Sequence, residues 1–368
     1  MKVLFVTNLP SPYRVDFFSE LGKKCNLTVV YERKKANDRD DRWIGKSQKT
    51  YKEIFLKSIP VGKDNSLSLN LFQYLKGDWD IVVFGMYSTF TAMIAIIWMR
   101  LCHKKFFIST DGGFIKKESK IKFMLKKGII SSASAWLAPG ENARGYLCYY
   151  GALNKKIYPY PFTSLFYSEI REKPLSEEEK REAKKNIGIG DSLLILYVGS
   201  FISRKGLDVL YNALSYIHNE HFFLYVVGGS KEQFIQCIDE SDKEMPSNIM
   251  VVPFMEKKDL IKYYDAADIF VLPTKEDVWG LVVNEAMARG LPVITTYQCG
   301  AGLELIESGV NGYLVESNEA KSIADKINEM QQEKISEMSQ NCLNIISNYT
   351  IEKMVESHIY AFTHFLQS

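Results

Sequence analysis

Paired cysteines are the first thing this chain lacks. Its six cysteines (Cys25, Cys102, Cys148, Cys237, Cys299 and Cys342) are scattered, with no C-x-x-C and no metal-ligand spacing. That argues against a disulfide framework and a zinc site, and for a reducing compartment. Histidine is scarce: His103, His218, His221, His358 and His364 all lie outside the loops that carry the motifs below, so they read as structural or surface residues. Long apolar runs are missing too. The most apolar stretch, Phe90–Cys102, is too short and is interrupted by Arg100, so it reads as a buried helix and not a membrane span. No G-x-G-x-x-G follows the first strand-like run and no G-x-x-x-x-G-K-S/T occurs, which removes the dinucleotide fingerprint and the P-loop. The opening MKVLFVTNLP has no A-x-A site and too short an apolar run for a signal peptide, so the cytoplasm is the expected compartment. No short repeats or low-complexity tracts occur, and no aromatic–basic RNA motif argues for nucleic acid.

What is present is ordinary in amount and uneven in distribution. With 368 residues, 46% hydrophobic and 24% charged, the chain has room for two or three domains with cores of their own. The net charge of +2 hides a split: residues 1–170 hold 27 basic and 14 acidic side chains, and residues 171–368 hold 19 and 30. A first half at +13 and a second at −11 suggest that the first meets a polyanionic surface. In it the segment FIKKESKIKFMLKKGII interleaves Lys116, Lys117, Lys120, Lys122, Lys126 and Lys127 with Ile121, Phe123, Met124 and Leu125. That is a basic amphipathic pattern suited to an anionic membrane surface, and equally to a solvated lysine-rich helix face.

Buried strand-like runs alternate with helical stretches twice over. The first series is Lys2–Thr7, Leu27–Tyr31, Tyr51–Leu56, Asp80–Gly85, Lys104–Thr110, Ala135–Gly140 and Ile157–Phe162, with a polar, charged loop expected over 33–50. The second is Leu193–Gly199, Phe222–Val227, Met250–Phe254, Ile269–Leu272, Pro292–Thr295 and Gly312–Val315. This rhythm predicts two doubly wound parallel sheets, an N-terminal domain over 1–165 and a second over 191–349. A linker is expected over 166–190, where Ser176 opens a capping box, and a closing helix over 350–368 that packs back on the first domain.

Two loops in the second series carry the chemistry. Gly199-Ser200-Phe201-Ile202-Ser203-Arg204-Lys205-Gly206 runs from a strand into a helix with two cations at the helix mouth, an anion site by charge and by unpaired backbone N–H groups. FVLPTKEDVWGLVVNEAMARGLPVITT places Glu276 and Asp277 before a Trp279-Gly280 turn and Glu285 in the helix that follows. Carboxylates there suit sugar hydroxyls, or simply cap a helix. Cations for phosphates on one side and carboxylates for hydroxyls on the other describe a sugar-nucleotide site. In the first half, Asp111 ends a strand at a Gly112-Gly113 turn, a position where open parallel sheets collect ligand chemistry.

With these motifs the chain resembles retaining nucleotide-sugar glycosyltransferases of the GT-B type, family 4, the glycosyl transferases group 1. The likeness is strongest over Tyr197–Gly206 and Ala266–Glu316, with AADIFVLPTKEDVWGLVVNEAMARGLPVITT and GLELIESGVNGYLV. It is weaker in NLPSPYRVDFFSEL and APGENARGYLCYYGA. The resemblance implies an α/β fold of two Rossmann-like domains facing across a cleft. It also implies hexosyl transfer from a nucleotide diphosphate-sugar to a glycan or lipid-linked acceptor in polysaccharide or glycoconjugate synthesis, with no essential metal and no other cofactor. By the same resemblance Lys205 is the phosphate-binding lysine and the amides near Gly280 and Leu281 hold the pyrophosphate. Asp277 touches the sugar hydroxyls and Glu285 the ribose, while Gly199 and Ser200 line the donor. Arg204 and Lys205 neutralise the leaving diphosphate, Asp111 orients the acceptor, and Tyr13 and Arg14 line the acceptor side. Two departures stand out: Asp277 replaces a glutamate, and Ser200 replaces an arginine whose charge Arg204 is expected to supply. A nucleotide-sugar epimerase and a non-catalytic nucleotide-sugar-binding subunit are the alternatives. The first needs a base near the sugar, and no histidine occupies a motif loop.

Overall fold

The structure, a computed structural model, describes residues 1–34, 48–61, 65–238, 245–330 and 332–368; most of the loop expected over 33–50 lies outside them. The chain divides into two compact units, Met1–Ser164 with Thr350–Ser368, and Leu165–Tyr349.

In the N-terminal unit the strands are β1 (Lys2–Thr7), β2 (Asn26–Tyr31), β3 (Lys52–Phe55), β4 (Ile59–Val61), β5 (Asn65–Leu67), β6 (Ile81–Phe84), β7 (Phe107–Ser109), β8 (Ala135–Ala138) and β9 (Ile157–Pro159). Its helices are α1 (Pro12–Gly22), α2 (Leu71–Leu75), α3 (Phe90–Leu101), α4 (Lys120–Ile130) and α5 (Gly140–Tyr149). Among the described residues, seven strands form one sheet in the order β3-β2-β1-β6-β7-β8-β9 with every pairing parallel. The order reverses between β1 and β6, and that switch point leaves a crevice beyond the strands' carboxyl ends. β1, β6 and β8 are buried almost throughout because helices cover both faces of a parallel sheet, which is why they read as continuous apolar runs. The β4–β5 hairpin and the short α2 carry no periodic pattern long enough to be read in advance.

The C-terminal unit contains α6 (Glu177–Asn186), β10 (Leu193–Val198), α7 (Leu207–Ala213), β11 (Phe222–Val227), α8 (Lys231–Ile238), β12 (Ile249–Val252), α9 (Lys257–Ala266) and β13 (Ile269–Leu272). It continues through α10 (Leu281–Ala288), β14 (Val293–Thr296), α11 (Gly300–Leu305), β15 (Gly312–Val315), α12 (Ala320–Glu329) and α13 (Gln332–Ile346). Its sheet is β12-β11-β10-β13-β14-β15, again parallel, with the reversal between β10 and β13. The last helix, α14 (Ile351–Gln367), groups with the N-terminal unit, where Phe362 and Phe365 pack edge-on against Phe107.

Two expectations need correction. The stretch expected as a linker, 166–190, groups with the C-terminal unit. α6 is held there by Lys180, which donates to the Ala267 carbonyl, and by Lys184, 2.6 Å from Asp268 and 2.9 Å from the Ser192 carbonyl. These lysines lay their stems on the unit and bond its backbone. Nor is α3 buried all round. Ala92, Ala95, Ile96 and Met99 enter the core, while Phe90, Ile94, Ile97 and Leu101 form an exposed stripe at helical spacing, Leu101 being 73% exposed. An apolar helix need not be covered on every side by its own chain. Among the described residues no helix is long and apolar enough to cross a membrane.

Candidate active site

The switch point of the C-terminal sheet brings the loop after β10 against the loop after β13. The carbonyl of Arg204 accepts from the Lys275 amide at 2.8 Å, the Glu276 amide at 3.3 Å and Thr274 Oγ1 at 2.9 Å. Gly206 makes this close approach possible: its φ is 71°, and a Cβ there would fall 1.9 Å from the Pro273 carbonyl oxygen. With the loops zipped together, Lys205 Nζ donates to Asp277 Oδ2, both side chains being 13% exposed. Lys275 closes the outer side by pairing with Asp208 at 2.6 Å.

Asp277 is fixed from below. Its amide donates to Gln298 at 2.8 Å and its carbonyl accepts from the Gly300 amide at 3.0 Å, a single parallel bridge between the loops after β13 and β14. Thr296 Oγ1 donates to the Thr274 carbonyl at 2.6 Å and Cys299 Sγ to the Trp279 carbonyl at 3.0 Å. Burial, with the Asp277 charge nearby, pushes the Cys299 thiol up to about 12, so it is a neutral donor and not a nucleophile. The chain then turns at Gly280, φ 100°, where a Cβ would meet Cys299 Sγ at 2.9 Å, and α10 begins at Leu281.

Gly280 occupies the N-cap and has no side chain to bond the first turn, so the backbone N-terminus of α10 is the feature of this turn that suits an anion. Asp277 lies at that helix mouth, its Oδ2 3.4 Å from where a Gly280 Cβ would be. Glu285, one turn into α10, accepts a hydrogen bond from Tyr264 at 3.1 Å. Tyr264 is 2% exposed, and sequence reasoning missed it; a tyrosine in KYYDAAD carries no mark of its partner. Arg204 is exposed and its guanidinium reaches the Glu276 carbonyl at 3.2 Å. Gly199 lies beneath the same loop, where Tyr197 donates to the Ser200 carbonyl at 3.2 Å. Lys205, Arg204 and the N-terminus of α10 thus lie together, with Asp277 in the loop before that helix and Glu285 within it.

A second cluster forms in the N-terminal unit, where α1 and the loop after β7 leave the sheet. Arg14 pairs with Asp111 at 2.6 Å, and Tyr13 donates to the same carboxylate oxygen at 3.1 Å. Burial opposes the Arg14 charge, but Asp111 and Tyr13 beside it hold its pKa above the ordinary arginine value. Burial raises Tyr13, with Asp111 adding to the effect, so it remains a hydroxyl donor. Gly85 leaves room for the cation, since a Cβ there would lie 3.2 Å from Arg14 Nη1.

Residues 179–347 match the family model for glycosyl transferases group 1. The capsular polysaccharide biosynthesis glycosyltransferase CapM of Staphylococcus aureus is 33% identical over 157 residues, 42% of this chain and 40% of that protein. The amylovoran biosynthesis glycosyltransferase AmsK of Erwinia amylovora is 32% identical over 158 residues, 40% of this chain and 38% of that protein. The chain thus spans about two fifths of the length of the curated relatives it matches. Among solved structures, HepE of Anabaena in complex with UDP superposes with a TM-score of 0.76 at 15% identity, covering 99% of this chain and 100% of that one. Sucrose-phosphate synthase from Thermosynechococcus elongatus gives 0.75 at 16% identity, with 100% of both covered. Within the C-terminal unit, residues 179–347 are therefore similar to the glycosyl transferases group 1, in a chain with the two-unit Rossmann-like fold of the GT-B type.

Proposed function

We propose that the protein is a retaining glycosyltransferase. It moves a hexose from a nucleotide diphosphate-sugar to a glycan or lipid-linked acceptor in the synthesis of a cell-surface polysaccharide or glycoconjugate. The observation that carries this reading is the Lys205–Asp277 pair at the N-terminal end of α10, at the switch point of the C-terminal sheet. The diphosphate lies against the amides of α10, Lys205 and Arg204; Asp277 takes sugar hydroxyls and Glu285 the ribose. Departure of the leaving group is the hard step. Fixed cations and amides facing the diphosphate lower its barrier, because they already point at the charge that develops. Asp111 is held in place by Arg14 at 2.6 Å and by the Tyr13 hydroxyl at 3.1 Å. It therefore orients the acceptor hydroxyl while the leaving phosphate takes the proton, with attack on the face from which it departs. This scheme needs no metal.

A melting-temperature panel of nucleotides and nucleotide-sugars tests the reading, since a ligand that binds only the native state raises the midpoint with its affinity. One nucleoside diphosphate is expected to raise it, and its sugar conjugate to release that nucleotide slowly even without acceptor. No shift with any common nucleotide overturns the assignment; a shift without turnover on any acceptor turns it into a binding subunit.

The membrane also belongs to the proposal. α4 buries only Ile129 and Ile130 and leaves Ile121, Met124 and Leu125 exposed, Ile121 by 84%, among its lysines. Apolar side chains bracketed by ammonium groups suit the headgroup region of an anionic bilayer, where a lipid-linked acceptor is presented.

A further inference from the structure

Phe90, Ile94, Ile97 and Leu101 recur on α3 at the spacing of one helix face, and each is at least 41% exposed. The opposite face is filled by Ala92, Ala95, Ile96 and Met99, so the helix is apolar on its water side as well as its core side. A single exposed apolar residue is ordinary; four in register on one face form a patch that marks an interaction surface. α3 connects β6 to β7 and α4 connects β7 to β8, both strand pairs being parallel, and the two helices touch. Consecutive crossovers of one hand lay them side by side on one face of the sheet. Their surfaces differ. α3 holds one charged residue, Arg100, whereas α4 exposes Lys120, Lys122 and Lys127 among Ile121, Met124 and Leu125. Neither helix contains an acidic residue.

We propose that α3 and α4 form one docking face for an anionic lipid bilayer: the α3 stripe enters the apolar layer below the headgroups, and the α4 lysines pair with the headgroups. This deepens the membrane reading of α4 and rests on it. With 12 residues, α3 is too short to span a bilayer and lies in its surface. A second copy of the chain is a poorer occupant. A two-fold interface sets one patch against itself, which brings the α4 lysines of both copies together with no acid on either helix to meet them. A bilayer of acidic lipids supplies hydrocarbon and negative charge at once. Both helices start from the carboxyl edge of the sheet, where Asp111 follows β7, so a bilayer under them lies beside the residues assigned to the acceptor.

Sedimentation of the full chain with phosphatidylglycerol vesicles, at low salt and at about 0.5 M NaCl, separates the two contributions, because salt screens the lysines and leaves the apolar insertion. The wild type is expected to stay partly bound at high salt. Ile94→Asn/Ile97→Asn, which leaves the net charge unchanged, is expected to bind roughly tenfold more weakly at high salt and to keep the salt-sensitive part. Leu101→Gln, at the most exposed position of the stripe, is expected to lose several-fold, and it replaces the asparagine pair if a melting curve shows that pair to be unfolded. Complete release of the wild type by salt, or salt-resistant binding by the folded variants that equals the wild type's, overturns the role of α3. If replacing Lys117, Lys120 and Lys122 by alanine still weakens low-salt binding, the reading of α4 survives that result. A wild type that binds no vesicle, or binds phosphatidylcholine vesicles equally well, overturns both. A dimer in sedimentation velocity that the asparagine pair disperses assigns the stripe to a second copy and overturns the proposal as well.

Discussion

At the scale of single residues the candidate site depends on pairs, and pairs fail unevenly. Lys205 and Asp277 are each largely withdrawn from water. Removing one partner therefore strands the other, which is more damaging than never having built the pair. Lys205→Ala is expected to lower kcat/KM for the nucleotide-sugar by roughly ten- to a hundredfold, the range of a charge-assisted hydrogen bond. A melting curve taken in parallel separates that loss from unfolding, and an unchanged kcat/KM removes Lys205 from the phosphate site. Arg204 is a milder case because it is exposed and bonds a carbonyl. If Arg204→Ala leaves turnover and donor affinity intact, it does not stand in for the arginine that Ser200 replaces. Gly206 is purely steric. Gly206→Ala adds a Cβ to a left-handed backbone 1.9 Å from the Pro273 oxygen, so the two loops must part. A loss of at least about 2 kcal/mol in denaturant unfolding is expected.

Helices α3 and α4 carry the question of where the protein works. The lysines around α4 were legible as a basic amphipathic pattern; the exposed stripe of α3 was not, because an apolar run says nothing about which of its faces is covered. Each lysine near an anionic surface contributes about 1 kcal/mol, so replacing Lys116, Lys117, Lys120 and Lys122 by alanine is expected to weaken vesicle binding by more than tenfold. Co-sedimentation with phosphatidylglycerol vesicles, with and without added salt, measures this. Ile121→Asp is expected to weaken the salt-resistant part. Binding by the four-lysine variant that matches the wild type removes the surface from the proposal.

The whole molecule adds a titration that belongs to packing. His358 of α14 is buried between Phe17 and Tyr160, with Nδ1 2.8 Å from the Met354 carbonyl. Burial lowers its pKa from 6.5 to about 4. Above pH 6.5 the ring is neutral folded or unfolded and the shift has no effect. As pH falls from 6.5 to 4 only the unfolded chain takes up the proton, so stability drops, by up to about 3 kcal/mol, and then levels off. Urea unfolding of the wild type and of His358→Gln across this window checks it; the same slope in both proteins assigns the loss to other groups. The sequence determined the parallel strands, the two-sheet plan and the cationic and carboxylate loops, because βα periodicity, turn glycines and charged loop residues are local signals. It determined neither what Lys205 and Glu285 are bonded to nor which face of α3 is bare. Lys205 and Asp277 are 72 positions apart, and Tyr264 and Glu285 lie on different helices. The pairing of β10 with β13, and the approach of α9 to α10 at Tyr264 and Asp265, bring such groups within bonding distance. A contact between distant segments is a property of topology, and no periodicity along the chain encodes it.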